Sequence, residues 1–370
     1  MGKREPRPTA HARPPETEAV VINTLENMQA AGHEQVTFFQ DEKTGLKAIV
    51  AIHSTVLGPA LGGCRVWPYE SEAAALNDVL RLSRAMTYKN AAMGLALGGG
   101  KAVIIADSTV DKTPALFEAF GRSVDRLGGR YITAQDVGTA PEDMVAIRRQ
   151  TQWVAGLPKT SGDPSPATAF GVYSGLKAAL KHAFGTDDLK GRRVAVQGLG
   201  AVGMSLAERL YADGAQLIVA DIAQKRIDQA VSQLGATAVT SDEIFNVEAD
   251  VFAPCALGAV INDDTIPRLT VKVVAGSANN QLAEARHGDA LKARGIVYAP
   301  DFIINGGGVI NVADELQPGG YNRDRAYALV ADIGNKVARA LSLADERGIS
   351  TDAAAVTMAE ERLQAARQTA

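Results

Sequence analysis

Lys89 in MTYKN, Lys101 in GGGKAV and Asp136 in TAQDVG each stand where an apolar run meets a loop, so that a side chain can reach a ligand. Amines and carboxylates so placed are the usual agents of proton transfer. The stretch LALGGGKAVIIAD, residues 95–107, also suggests a phosphate-binding loop, because three glycines precede its lysine. That loop requires glycine at 95 and a hydroxyl at 102 to reach magnesium. Leu95 and Ala102 occupy those positions, so Lys101 must serve another purpose.

A second constellation lies downstream. GLGAVG, residues 198–203, directly follows the apolar run VAVQ and is followed about 20 residues later by Asp221, the spacing of the dinucleotide fingerprint. Gly198 permits the tight turn, Gly200 lets a pyrophosphate approach the backbone, and Gly203 lets helix and sheet pack closely. Ala201 and Val202 open the helix whose N-terminal amides would face the phosphates. Asp221 would bind the ribose hydroxyls and repel a 2'-phosphate, favouring NAD over NADP; Lys225 and Arg226 are placed on the solvated face of the next helix.

Composition narrows the partners. The hydrophobic fraction of 46% is ordinary for a soluble chain, and a net charge of -4 offers no general attraction for nucleic acid or an anionic membrane. Two cysteines, Cys64 and Cys255, make neither a disulfide scaffold nor a metal cluster, and a reducing, cytoplasmic setting is expected. No ligand cluster supports metal catalysis. The first residues lack an apolar h-region and no run of about 18 apolar residues occurs, so neither secretion nor membrane insertion is expected.

The elements around these residues predict an α/β chain of two domains. Residues 1–15 read as a disordered arm and 16–156 as the substrate, catalytic and oligomerisation domain. Within the latter the pattern predicts a helix over 16–31, strands over 34–41 and 46–54, a loop at PALGG (59–63), and a helix from Ser71 with Leu76, Val79, Leu80 and Leu82 inward. KAVIIAD reads as a strand beginning at Lys101, and TPALFEAFGRSVDRL as a helix opened by Thr113 and Pro114. RYITAQD reads as another strand. The hinge is placed in GLPKTSGDPSP, 156–166. Residues 157–346 form a doubly wound, Rossmann-type NAD-binding domain with parallel strands, and 347–370 a helix packing back on the first domain.

GPALGGCRVWPY, MTYKNAAMGLALGGGKAVI, RYITAQDVGT, PSPATAFGV, APCALGA, AGSANNQL and INGGGVINVADEL together resemble the glutamate/leucine/phenylalanine/valine dehydrogenases, most nearly the leucine and valine members. The resemblance implies reversible, NAD-dependent oxidative deamination of an L-amino acid to a 2-oxo acid and ammonia, in a homo-oligomer of octameric or smaller size. It implies that Lys89 binds the substrate carboxylate, that Lys101 is the catalytic lysine and that Asp136 assists proton transfer. Gly62 and Gly63 would approach the carboxylate, Thr168 and Asn305 would hold the nicotinamide carboxamide, Cys255 and Ala256 would meet the cofactor, and Asn279 or Asn280 would touch substrate or cofactor. A lysine acts as a base near neutrality only if its pKa falls from about 10.4 to about 7–8, a differential cost of roughly 3–5 kcal/mol. Burial against apolar walls and the Lys89 charge would both push Lys101 that way, and the three glycines would give substrate close access to it.

The side-chain pocket implied by the resemblance is Leu61, Ala134, Val309 and Val312, all aliphatic, which disfavours acidic substrates and favours leucine, isoleucine and valine; phenylalanine is the alternative. Two features depart from the family pattern: Gly306 stands where alanine is expected, and the 156–166 loop is short. A non-catalytic NAD sensor would dispense with Lys89, Lys101 and Asp136, and a 2-hydroxy acid dehydrogenase would usually need a histidine near the cleft motifs, where none occurs.

Overall fold

The computed structural model describes residues 24–369; the arm and the start of the first expected helix lie outside them. Helix α1 (Thr24–Ala31) leads into strands β1 (Gln35–Asp41), β2 (Leu46–Ser54) and β3 (Ala60–Trp67), then α2 (Glu72–Ala92), β4 (Gly98–Ile105), α3 (Pro114–Asp125), β5 (Tyr131–Gln135) and α4 (Pro141–Arg148). The strands form one mixed sheet in the order β1-β2-β4-β3-β5, with β1 at its edge. Ser71 caps α2 by accepting from the Ala74 amide at 3.1 Å, and Leu76, Val79 and Leu80 are buried as the spacing requires. Leu82 is only half-buried. Thr113 caps α3, with Pro114 in its first turn, where its missing N–H costs nothing.

Two expectations are corrected. PALGG is not a loop: from Ala60 it is part of β3, paired in parallel with both β4 and β5. Likewise β4 starts at Gly98, so Lys101 sits inside a central strand beside Ala51 of β2 rather than at its beginning. The glycines serve packing more than substrate access. A Cβ on Gly99 would lie 2.1 Å from the Thr87 amide nitrogen of α2, and one on Gly62 would lie 1.7 Å from the Gly100 oxygen. Only bare backbone lets α2 press onto this sheet, and α2 carries Lys89.

The second unit begins with α5 (Ser165–Phe184) and continues through β6 (Arg193–Gln197), α6 (Ala201–Ala212), β7 (Gln216–Ala220), α7 (Gln224–Leu234), β8 (Thr237–Ala238), β9 (Val251–Pro254), β10 (Val273–Val274), α8 (Arg286–Ala293) and β11 (Val297–Tyr298). Its six strands run β11-β10-β9-β6-β7-β8 with every pair parallel, a doubly wound sheet whose order reverses at β6. Helices α9 (Asp301–Ile304), α10 (Gly307–Ala313), α11 (Arg323–Ala331), α12 (Ile333–Arg347) and α13 (Thr351–Thr369) complete the chain. Helix α13 returns to α2, where Arg362 donates to the carbonyls of Ala91 and Leu95, both at 2.8 Å, beyond the end of the helix ladder.

The 156–166 loop is tied to the segment after α10 by a single carboxylate. Glu315 accepts from the Gly156 amide at 3.1 Å, the Ser161 amide at 2.9 Å and the Thr160 hydroxyl at 2.5 Å, and also from the Ser161 hydroxyl. Glu315→Ala is expected to cost about 1.5–3 kcal/mol, the worth of hydrogen bonds to a charged group, and to expose the loop to protease. Thermal melts and limited proteolysis check this; unchanged melting with an unchanged digestion pattern would remove Glu315 from that role.

Candidate active site

Lys101 projects from β4 into the cleft between the two units, with its amine 3.0 Å from Asp136 Oδ2 at the end of β5. It is buried, at 5% exposure, but it meets a carboxylate where apolar walls were expected. Arg65, on β3, donates to the same Oδ2 at 3.1 Å and to Asp78 Oδ2 at 2.8 Å, and the Tyr69 hydroxyl also donates to Asp78 Oδ2, at 2.6 Å. Burial works against the Asp136 charge, yet Lys101 and Arg65 outweigh it and hold the carboxyl below its ordinary range. Arg65 was missed in the sequence. The signal was period-two spacing: Gly63 and Arg65 share a strand face, and a Cβ on Gly63 would lie 2.8 Å from the Asp136 Cβ.

Lys89, in the last turn of α2, reaches across the cleft to donate to Asn305 Oδ1 at 2.6 Å. Asn305 in turn donates to Asn279 Oδ1 at 2.9 Å and to the Ser277 carbonyl at 3.2 Å. Burial pulls Lys89 down to about 8, against the charge of Asp301 and with help from Lys101. A cavity of about 310 Å³ spans these groups. Gly62 and Gly63 form part of its wall, Thr168 and Val202 bring in the start of α5 and of α6, and Leu61, Ala134, Val309 and Val312 give it one aliphatic end. The structure separates the two asparagines: Asn279 lines this cavity, whereas Asn280, with φ +51°, faces a different one of about 750 Å³ between α2 and residues 280–285.

The glycine turn at the end of β6 has a different geometry at each glycine. Gly198 has φ +94°, and a Cβ on it would lie 2.7 Å from the Ala256 Cβ. Gly203 sits so close to the turn that a Cβ would lie 2.0 Å from the Gly198 oxygen and 3.2 Å from the Cys255 Cβ. Gly200 has open space around it, the condition for a phosphate to approach. Ala201 begins α6 directly behind it. Asp221, at the end of β7, accepts from the Leu199 amide at 2.6 Å and the Ala223 amide at 2.7 Å, and so braces the turn. Lys225 and Arg226 are exposed, with Arg226 3.8 Å from Asp221. These residues fit a dinucleotide. No described histidine lines the cleft cavity. Asp263, Glu284 and His287 cluster elsewhere, but Nδ1 of His287 accepts the Glu284 amide, which leaves its proton on Nε2, and Arg286 occupies both carboxylates.

A parallel sheet with an open glycine turn at its point of reversal, faced across a cleft by two lysines and an aspartate, defines a two-domain nicotinamide-dependent dehydrogenase. The family model for the Glu/Leu/Phe/Val dehydrogenase dimerisation domain matches residues 33–153, and that for Glutamate/Leucine/Phenylalanine/Valine dehydrogenase matches 161–222 and 216–369. The chain is 54% identical over 347 residues to a leucine dehydrogenase of Bacillus cereus, covering 93% of this chain and 94% of that one. It is 50% identical over 351 residues to a phenylalanine dehydrogenase of Caldalkalibacillus thermarum, covering 93% and 94%. The crystal structure of L-tryptophan dehydrogenase from Nostoc punctiforme superposes with a TM-score of 0.82 at 43% identity, covering 93% of this chain and 99% of that one. The chain belongs to the Glu/Leu/Phe/Val dehydrogenase family and is an amino acid dehydrogenase.

Proposed function

We propose that the protein catalyses the reversible, NAD-dependent oxidative deamination of leucine, isoleucine and valine. The observation that carries the substrate choice is the aliphatic end of the cleft, where Leu61, Ala134, Val309 and Val312 offer nothing to pair a side-chain carboxylate. The leucine dehydrogenase relative supports the same reading.

A nicotinamide held in the cleft beside Thr168 and Asn305 would supply the acceptor for the hydride that leaves the substrate Cα. Lys89 binds the substrate carboxylate, with Gly62 and Gly63 beside it, and Asn305 and Asn279 keep the lysine aimed into the cleft. Lys101 takes the proton from the water that attacks the iminium carbon, and Asp136 relays protons to the departing nitrogen over the 3.0 Å contact. Thr168 and Asn305, which line the cleft, would hold the nicotinamide carboxamide, and the 198–203 turn packed on Cys255 and Ala256 would hold the pyrophosphate. Asp221, which braces the turn, would hold the ribose hydroxyls. Residues 16–156 act as the substrate domain and 157–346 as the cofactor domain. The edge position of β1, where Phe38 is 46% exposed, supports assembly of copies into a homo-oligomer. The proposed assembly is an octamer or smaller, and the proposed setting is the cytoplasm.

The test is NADH formation with L-leucine, L-isoleucine, L-valine, L-phenylalanine, L-tryptophan, L-glutamate and L-lactate. The branched-chain substrates are expected to give the highest kcat/KM and lactate none. A preference for an aromatic substrate overturns the pocket assignment; activity on lactate alone overturns the reaction. With NADP in place of NAD, kcat/KM is expected to fall at least about tenfold, because Asp221 opposes a 2'-phosphate. Equal use of both cofactors removes that role.

A further inference from the structure

Met93 and Gly306 meet across the boundary between the two units. Met93 caps the C-terminus of α2 and is 4% exposed, within the core on the second sheet that also holds Ile303 and Ile304. Gly306 has φ -69° and ψ -9°, a conformation open to any residue, so a side chain here is limited by space and not by the backbone. A Cβ at 306 would lie 2.1 Å from Met93 Sδ and 2.9 Å from its Cγ, well inside the roughly 3.5–4.0 Å of an ordinary contact. The sulfur therefore occupies the volume of the missing methyl group. The α9–α10 junction cannot yield on its far side, since a Cβ on Gly307 would lie 2.1 Å from the Ala167 oxygen of α5.

Lys89 and Met93 are four residues apart on one face of α2, and they meet the consecutive residues Asn305 and Gly306. The polar contact at 2.6 Å and the apolar contact beside it thus share one seat. We infer that Met93 and Gly306 form an interdomain socket that sets Asn305 against the Lys89 amine, making both of them positioning residues for the substrate carboxylate. This rests on the leucine-type reading above. The departure of Gly306 from the family's alanine then has a local reason: the methionine fills the space that alanine would take.

The test is a two-residue cycle of Gly306→Ala, Met93→Ala and the double variant, assayed with L-leucine at saturating NAD and by thermal melting. Gly306→Ala is expected to raise KM for leucine at least fivefold, more than it lowers kcat, because the displaced sulfur shifts Lys89 from Asn305. In the double variant KM returns to within about twofold of wild type, since the methyl group then has room. A purely structural contact would lower the melting temperature and leave KM unchanged. Normal KM in Gly306→Ala, or a double variant no better than that single one, overturns the inference. If Gly306→Ala does not fold, a folded double variant with near-normal KM supports the socket and an unfolded one overturns it. Wild-type protein inert towards leucine would refute the functional reading instead. Melting would then test the Met93–Gly306 contact apart from its effect on Lys89: additive losses in the two single variants reject the contact and the socket with it.

Discussion

Lys101→Ala is expected to lower kcat by about 10²–10⁴-fold, the usual worth of a positioned general acid or base, with little change in KM for leucine. The amine is 5% exposed on a central strand, 3.0 Å from the only other proposed proton carrier, so no bulk base can substitute for it easily. The fold should survive the change, because Arg65 still neutralises Asp136 at 3.1 Å. Pre-steady-state and steady-state kinetics with a melting control check this, and addition of small primary amines should restore part of the rate. A kcat within threefold of wild type would remove Lys101 from the chemistry. Loss confined to KM would mean that it binds and that another group transfers the proton.

Lys89→Ala is expected to act on the opposite constant. A charge-assisted hydrogen bond is worth about 1.5–3 kcal/mol, which raises KM about 10- to 150-fold. The rise is expected towards the upper end of this range, since Asn305 Oδ1 also loses its donor at 2.6 Å. The pH dependence adds a second signature. Burial lowers Lys89 to about 8, so below that pH the lysine is charged and holds a carboxylate, and as pH rises through it the attraction is lost. Inhibition by 4-methylvalerate, which carries the carboxylate but no amine to titrate, should therefore weaken above about pH 8 and approach tenfold per unit. The variant should show weak inhibition with no such inflection. An identical pH profile in wild type and variant would show that the carboxylate is held elsewhere.

How legible the molecule is in its sequence differs from element to element. The capped helices α2 and α3 follow from Ser71, Thr113 and their apolar spacing, because caps and periodicity act within a few residues. The glycine turn after β6 is legible for the same reason: strand, turn and helix are contiguous there. PALGG was not legible as a strand. Its glycines suit a loop on local grounds, and they are tolerated in β3 only because distant backbone, the Gly100 carbonyl above all, leaves no room for a side chain.

By itself, the sequence determined the order of the two α/β units, the dinucleotide turn and the identities of Lys89, Lys101 and Asp136 as the groups to watch. Each is a matter of residue type and short spacing, which local physics constrains. Only the tertiary structure decided that Arg65 and Lys101 share one carboxylate, that Asn279 rather than Asn280 lines the cleft, and that Met93 fills the notch at Gly306. Those relations join residues far apart in the chain, through close packing and distance-dependent charge, and no local periodicity records which distant atom will occupy a given ångström of space.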